Sequence, residues 1–339
     1  MDSIEVIKPQ RINIRAIFQN NIIMVAVILV LFVIVAMVFS PYFATETNIR
    51  ALMRDISFAG MIAVAQSMLL ILGELDLSVG ASACLAGIFS GLLMTSAVGV
   101  PGPVAFAIGL IAGFGMGALN GFIITSLRIN ALVTTIGMQG VYAGVTLVLT
   151  KGYAITSIPE SVLWIGQGSI SVFPISFVLS IGVLILAVFF VKKTRTGRYV
   201  YAIGNSKPAA EILGIRVDRV RILVFSIAGL ISAPAWVVYV ARLASAQTTI
   251  GTTWALNSLA SSVIGGVALT GGIGNPIGAF LGASIISIIS NIIVLFGVSI
   301  YWQQAVSGII IVVAIALPSI IKIVQEKSRI KGLAISDQK

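Results

Sequence analysis

Long apolar runs alternate with short polar breaks along this chain, and within each run the apolar residues are continuous. Runs of about 20 apolar residues are the pattern of bilayer-spanning helices, whereas the strands of a membrane barrel alternate every second residue. The pattern predicts ten spans. They are Ile22–Phe39, Ser57–Leu72, Leu77–Val98, Val104–Leu127, Ala131–Thr150, Val172–Val191, Ile222–Ala241, Ala255–Leu269, Pro276–Val298 and Tyr301–Val324. Asn48–Ser57 places Ile49, Leu52, Met53 and Ile56 at helical spacing and predicts a separate amphipathic segment at the interface. Pro234 predicts a kink in the seventh span. The expected fold is therefore all-α and polytopic. A polar segment, 1–21, precedes a membrane domain, 22–324, and a basic tail, 325–339, follows it.

One stretch interrupts the rhythm, Leu69-Leu-Ile-Leu-Gly-Glu-Leu-Asp-Leu-Ser-Val-Gly80. The apolar run stops at Gly73, and Glu74 and Asp76 are the only formally charged residues between Phe58 and Ala97. A carboxylate at the bilayer centre costs roughly 2.5–3.5 kcal/mol on insertion scales, so it faces protein, water or an aqueous cavity. Non-helical backbone at membrane depth is tolerated only where it is shielded. The stretch reads as helix, break, helix, with Gly73, Glu74, Asp76, Ser78 and Gly80 forming the break. Gly265-Gly-Val-Ala-Leu-Thr-Gly-Gly272 echoes it: Leu77 matches Leu269, Ser78 matches Thr270, and Gly80 matches Gly272. Gly265, Gly266, Thr270 and Gly272 thus form a second break. Paired interrupted helices are the best sequence pointer to a transport pathway; the alternative is that glycine-rich turns resemble one another by chance. Glu74 and Asp76 have two readings. They couple an ion, as in secondary transporters, or they cap the following helix, with Asp76 or Ser78 accepting from free backbone N–H groups.

Composition and charge narrow the class. The chain has 339 residues, 58% hydrophobic and 9% charged. There is no histidine and a single cysteine, Cys84, so metal and acid–base enzymology are not expected, nor is a disulfide within the chain. With the N-terminus in the cytoplasm, 17 of the 21 Lys and Arg fall on inside segments and 4 (Arg50, Arg54, Lys151 and Arg242) fall outside. That asymmetry predicts both termini inside. Glycines every fourth residue at Gly109, Gly113, Gly117 and Gly121 signal close helix packing. Polar residues within the spans, among them Gln66, Asn120, Gln139, Asn257 and Ser261, are either interhelical hydrogen-bonding groups or the lining of an aqueous route.

Residues 192–221 are the only long charged segment in the membrane domain. Within it, Ser206-Lys-Pro-Ala-Ala-Glu-Ile-Leu-Gly214 predicts a short helix, with Ser206 as N-cap, Pro208 in the first turn and Gly214 past the end. Such a helix suits docking of a cytoplasmic partner. No G-x-x-x-x-G-K-[ST] phosphate loop occurs, so any ATP is bound by another polypeptide.

Four stretches together resemble the permeases of bacterial ABC-type sugar importers of the ribose, xylose and autoinducer-2 class. They are Gly73–Gly80; Thr196–Asn205 with Gly214–Asp218; Val240–Gln247; and Gly265–Gly272 continuing to Gly282. Glu74 stands where the usual motif has its second glycine. The resemblance implies a multi-pass protein of the cytoplasmic membrane, surrounded by lipid and paired with a second copy or a paralogue. It further implies a cytoplasmic ATP-binding subunit and an extracytoplasmic solute-binding protein. Neither a cofactor in this chain nor a nucleic acid is implied. Ser206, Pro208, Ala209, Ala210, Glu211 and Gly214 look like the loop that meets the ATPase, with Pro208 where that loop has a glutamate. A secondary transporter coupled through Glu74 or Asp76, and a permease for branched-chain amino acids, are the alternatives.

Overall fold

The computed structural model describes residues 21–299 apart from 96, 97 and 157, with scattered positions from 302 to 316. Its helices are α1 (Asn21–Phe39), α2 (Glu46–Leu72), α3 (Val79–Met94), α4 (Gly102–Ser126), α5 (Ala131–Thr150) and α6 (Glu160–Gln167), then α7 (Ile175–Lys193), α8 (Arg195–Asn205), α9 (Lys207–Ile212), α10 (Val217–Leu243), α11 (Trp254–Ile264) and α12 (Pro276–Leu295). A two-stranded hairpin, β1 (Ser169–Ile170) and β2 (Phe173–Pro174), links α6 to α7. Among the described residues seven helices, α1, α2, α4, α5, α7, α10 and α12, are long and apolar enough to cross a membrane. The protein is thus an all-α polytopic membrane protein.

The expected boundaries need four corrections. Asn48–Ser57 is no separate interfacial segment: α2 runs unbroken for 27 residues from its Thr45 cap. The stripe through Leu52 and Ile56 is buried and leads straight into the buried run Gly60–Leu72, with no proline to stop the helix. The third span shrinks to the 16 residues of α3 and the eighth to the 11 of α11, about 24 and 17 Å at the helical rise. Residues 151–171, which the sequence predicts as a polar loop, hold the helix α6 and the strand β1 over about half of their length. Residues 192–221 hold α8 as well as the expected short helix. The span Tyr301–Val324 lies largely, and residues 1–20 and 325–339 wholly, outside the described residues.

α2 is the axis of the bundle, packed by α7, α10, α11 and α12. α10 continues through Pro234 and lies along α4. There the glycine stripe does the packing: a Cβ on Gly117 would sit 2.1 Å from the Phe225 carbonyl oxygen, so the two backbones touch. α5 is the opposite case, with Val133, Ile136, Val141 and Val148 exposed on its outer side. That is the expected surface of a helix facing lipid.

Candidate functional site

The two helix breaks touch. Gly73 turns out of α2 with φ 86°, a left-handed conformation that glycine takes at little cost. After α11 the chain passes Gly266, Gly271, Gly272 and Gly274, all with positive φ, before Asn275 caps α12 through its bond from the Ile277 N–H at 3.0 Å. The Gly272 N–H donates to the Ile71 carbonyl at 2.9 Å, satisfying one of the free carbonyls at the end of α2. The C-terminus of α8 wedges between them. A Cβ on Gly204 would lie 1.9 Å from the Ile71 oxygen and 2.5 Å from the Gly272 nitrogen. The Tyr201 hydroxyl donates to the Gly274 carbonyl at 2.8 Å, and burial pushes this phenol's pKa above its ordinary value. Glu74 forms an ion pair with Arg221, near the start of α10, with both side chains largely buried. The segment that carries α8 and α9 is therefore fastened to both breaks.

Asp76 points the other way, into the bundle. Its Oδ1 accepts from the Ser78 N–H at 2.7 Å and from the Ser78 hydroxyl at 2.6 Å. Ser78 Oγ accepts from Asn120 Nδ2 at 2.8 Å, and Asn120 Oδ1 accepts from the Tyr142 hydroxyl at 2.8 Å. Thr135 holds the extended backbone alongside, accepting from the Leu77 N–H at 3.1 Å. Asp76, Ser78, Asn120 and Tyr142 are all buried. The geometry is that of a cap: a carboxylate collecting donors at the start of α3. Ser78 itself makes no side-chain cap bond. Gly80 does not belong to the break. It lies in the first turn of α3, and it must be glycine because its Cβ would sit 2.0 Å from the Gly251 oxygen. Gly265 likewise has ordinary helical φ, −69°.

Towards the other end of α2 a cavity of about 570 Å³ opens between α2, α10, α11 and α12. Phe58, Tyr239 and Trp254 form one wall. Phe58 stacks on Trp254 at 5.6 Å and meets Tyr239 edge-on at 4.9 Å. Asn257, Ser258, Ser261 and Ser287 line the facing side. At the rim Asn48 and Asn291 exchange amide hydrogen bonds at 2.8 and 3.1 Å, and Asp55 pairs with Arg242. Arg54 and Arg50 are held by the backbone carbonyls of Gln167 and Ser171, at 2.7 and 3.2 Å. Those bonds account for two arginines on the side where few positive charges are expected. Among the described residues no group of three or more His, Cys, Asp or Glu is placed to hold a metal ion.

Of the predicted lining residues, Asn257 and Ser261 face the cavity. Asn120 serves the Asp76 network, and Gln139 lies on α5, away from the cavity. Gln66 is completely buried, and neither its Nε2 nor its Oε1 has a hydrogen-bond partner among the described residues. In the short helix α9, Ser206 Oγ accepts from the Ala209 N–H at 3.4 Å and Gly214 turns at φ 76°. Ala209 is exposed but Ala210 is buried in the core. The most exposed apolar side chains here are Ile212 and Leu213, 87% and 77% exposed. Sequence reading missed this pair and the aromatic wall, since Phe58, Tyr239 and Trp254 are far apart in the chain and look like ordinary span residues.

A helical membrane bundle with a polar, aromatic cavity above two interlocked helix breaks is the architecture of a solute permease. The chain belongs to the family described as the permease component of the branched-chain amino acid transport system, whose model matches residues 48–315. It is similar to Ribose import permease protein RbsC of Bacillus subtilis (strain 168), 34% identical over 292 residues, 85% of this chain and 90% of that protein. The Escherichia coli (strain K12) protein of the same name is 34% identical over 295 residues, 85% of this chain and 91% of that protein. Autoinducer 2 import system permease protein LsrC of Photorhabdus luminescens is 29% identical over 329 residues, 94% of this chain and 97% of that protein. No solved structure matches the chain.

Proposed function

We propose that this chain is the membrane-spanning subunit of an ATP-driven importer, passing a sugar or sugar-like polyol across the bacterial cytoplasmic membrane. The cavity carries the reading. A pocket of about 570 Å³ is of the size that takes a small molecule. Its aromatic wall suits the apolar face of a sugar ring, and its amides and hydroxyls suit the ring's hydroxyl groups. Asp55 and Arg242 neutralise each other at the rim, which favours an uncharged solute over an amino acid, whose two charges would need free partners. The relatives named for ribose and autoinducer-2 import support the same class. Secondary transport is not favoured, because Asp76 is sealed in a hydrogen-bonded network and Glu74 is paired.

The partners follow from the class: a second permease copy or paralogue, a cytoplasmic ATP-binding subunit and an extracytoplasmic binding protein that delivers the solute. The charge asymmetry supports both termini inside, with residues 192–221 on the cytoplasmic face. There α9 would dock the ATP-binding subunit through the exposed Ile212 and Leu213. The test is uptake into vesicles holding the full complex. Ribose uptake that needs ATP and survives collapse of the proton gradient is expected; uptake that follows the gradient would overturn the reading. For orientation, Ser161→Cys should react with an impermeant thiol reagent from outside and Lys207→Cys should not.

A further inference from the structure

α8 meets the two breaks through two kinds of contact. At its C-terminal end Gly204 lies against both: a Cβ there would sit 1.9 Å from the Ile71 oxygen at the end of α2 and 2.5 Å from the Gly272 nitrogen. Backbone contacts of this kind resist closer approach steeply and separation only weakly. The second kind is the bond from the Tyr201 hydroxyl to the Gly274 carbonyl at 2.8 Å. It is the one hydrogen bond from α8 to either break among the described residues. A hydrogen bond weakens steeply when stretched or bent, so it resists separation as well.

Both ends of this bond are well placed to carry a movement. Gly274 immediately precedes Asn275, whose side chain caps α12 by accepting from the Ile277 N–H. Ser206 is the single residue between α8 and α9, and its hydroxyl caps α9. A shift of α9 is therefore handed to α8 with little slack. Movement of α8 toward the breaks is passed to both through Gly204. Movement away from them is passed by Tyr201 to the start of α12. The first break has no such tie to α8; it is held to α10 instead, through Glu74 and Arg221.

Resting on the importer reading above and on docking through α9, we propose that Tyr201 is a positioning residue for transport. Its hydroxyl ties the start of α12 to the docking segment, so that the second break follows α8 when the ATP-binding subunit draws α9 away. Without that tie the subunit still hydrolyses ATP while α12 stays behind.

The test is Tyr201→Phe in the full complex. The Tyr201 ring packs against the hydrophobic core, so phenylalanine keeps the packing and removes the bond. ATP hydrolysis should stay near the wild-type rate. Ribose uptake per ATP hydrolysed should fall about fivefold, the factor that corresponds to one ordinary hydrogen bond. Hydrogen–deuterium exchange reads the tie directly. In the wild-type complex, addition of ATP should change exchange in both 206–214 and 272–278; in Tyr201→Phe it should change exchange in 206–214 alone. Wild-type uptake per ATP in Tyr201→Phe would overturn the proposal, and so would an ATP-dependent change at 272–278 that survives the substitution. Uptake and ATP hydrolysis that fall together with melting temperature would also overturn it, by showing a merely structural tyrosine. A wild-type complex without ATP-driven uptake would overturn the importer reading and this proposal with it, whereas equal ATP-driven uptake by both proteins leaves that reading standing and removes the proposal alone.

Discussion

The two breaks do the same job with different materials. The first, 73–78, is held by side chains: Glu74 pairs with Arg221, and Asp76 gathers the Ser78 donors. The second, 265–275, is held by backbone: four glycines at positive φ, and the Gly272 N–H bonded to Ile71. Beyond Gly73, a side-chain break tolerates substitutions that keep hydrogen bonding, because residues 74–78 have no positive φ. A glycine break tolerates almost none, because the fold depends on the absence of Cβ. The first should therefore respond to chemistry and the second to volume.

The largest effect belongs to the second break. Gly272→Val puts a branched side chain on a residue with φ 72°, where a Cβ would already lie 2.4 Å from Asn205 Oδ1. Left-handed backbone costs about 1–2 kcal/mol for a side chain, and overpacking adds roughly 1–3 kcal/mol. The purified protein should lose several degrees of melting temperature and all transport. If Gly272→Val melts like the wild type, the volume account of this break is wrong.

An intermediate effect is expected at Glu74. Both partners of the Glu74–Arg221 pair are 13% exposed, between the surface case worth about 0–1 kcal/mol and the buried case, where removing one partner costs 3–5 kcal/mol. Glu74→Gly should cost about 2 kcal/mol because it strands the Arg221 guanidinium. Glu74→Gly with Arg221→Met should recover most of that loss. A double variant no better than the single one would show that Glu74 acts without Arg221.

How much of this was readable in advance also divides along the same line. The first break was legible because two carboxylates in an otherwise uncharged stretch are conspicuous, and α9 was legible because Ser206 and Gly214 are strong end signals. The second break was legible as a place, through its glycines, but its register was not. The apolar run Ala255–Leu269 continues past Ile264, so composition does not show that Gly265 and Gly266 stop the helix five residues early. The motif places Gly80 in the break, although its real constraint is Gly251, 171 residues away in the chain. The cavity was half visible. Asn257 and Ser261 are polar residues in an apolar run, while Phe58, Tyr239 and Trp254 signal nothing until the fold assembles them.

The smallest effect is expected at Asp76, and it separates chemistry from charge within the first break. Asp76 is buried, with its Oδ1 accepting two bonds from Ser78. Asparagine offers the same acceptor oxygen at the same place, without the charge. The chain of donors from Tyr142 through Asn120 and Ser78 can still end on that oxygen. Asp76→Asn should therefore cost about 1 kcal/mol or less, the scale of one neutral hydrogen bond, and keep substantial ATP-driven uptake. Asp76→Ala removes the acceptor, leaves the Ser78 N–H and O–H donors without a partner in a buried site, and should cost about 1–3 kcal/mol for the stranded groups. The order wild type, Asn, Ala in both melting temperature and uptake is the signature of a cap. An ion-coupling carboxylate gives a different order, with Asn and Ala equally inactive and Asn equally stable. Measuring uptake per inserted permease beside melting temperature tells the two apart, and a well-folded but inactive Asp76→Asn protein would revive coupling through this residue.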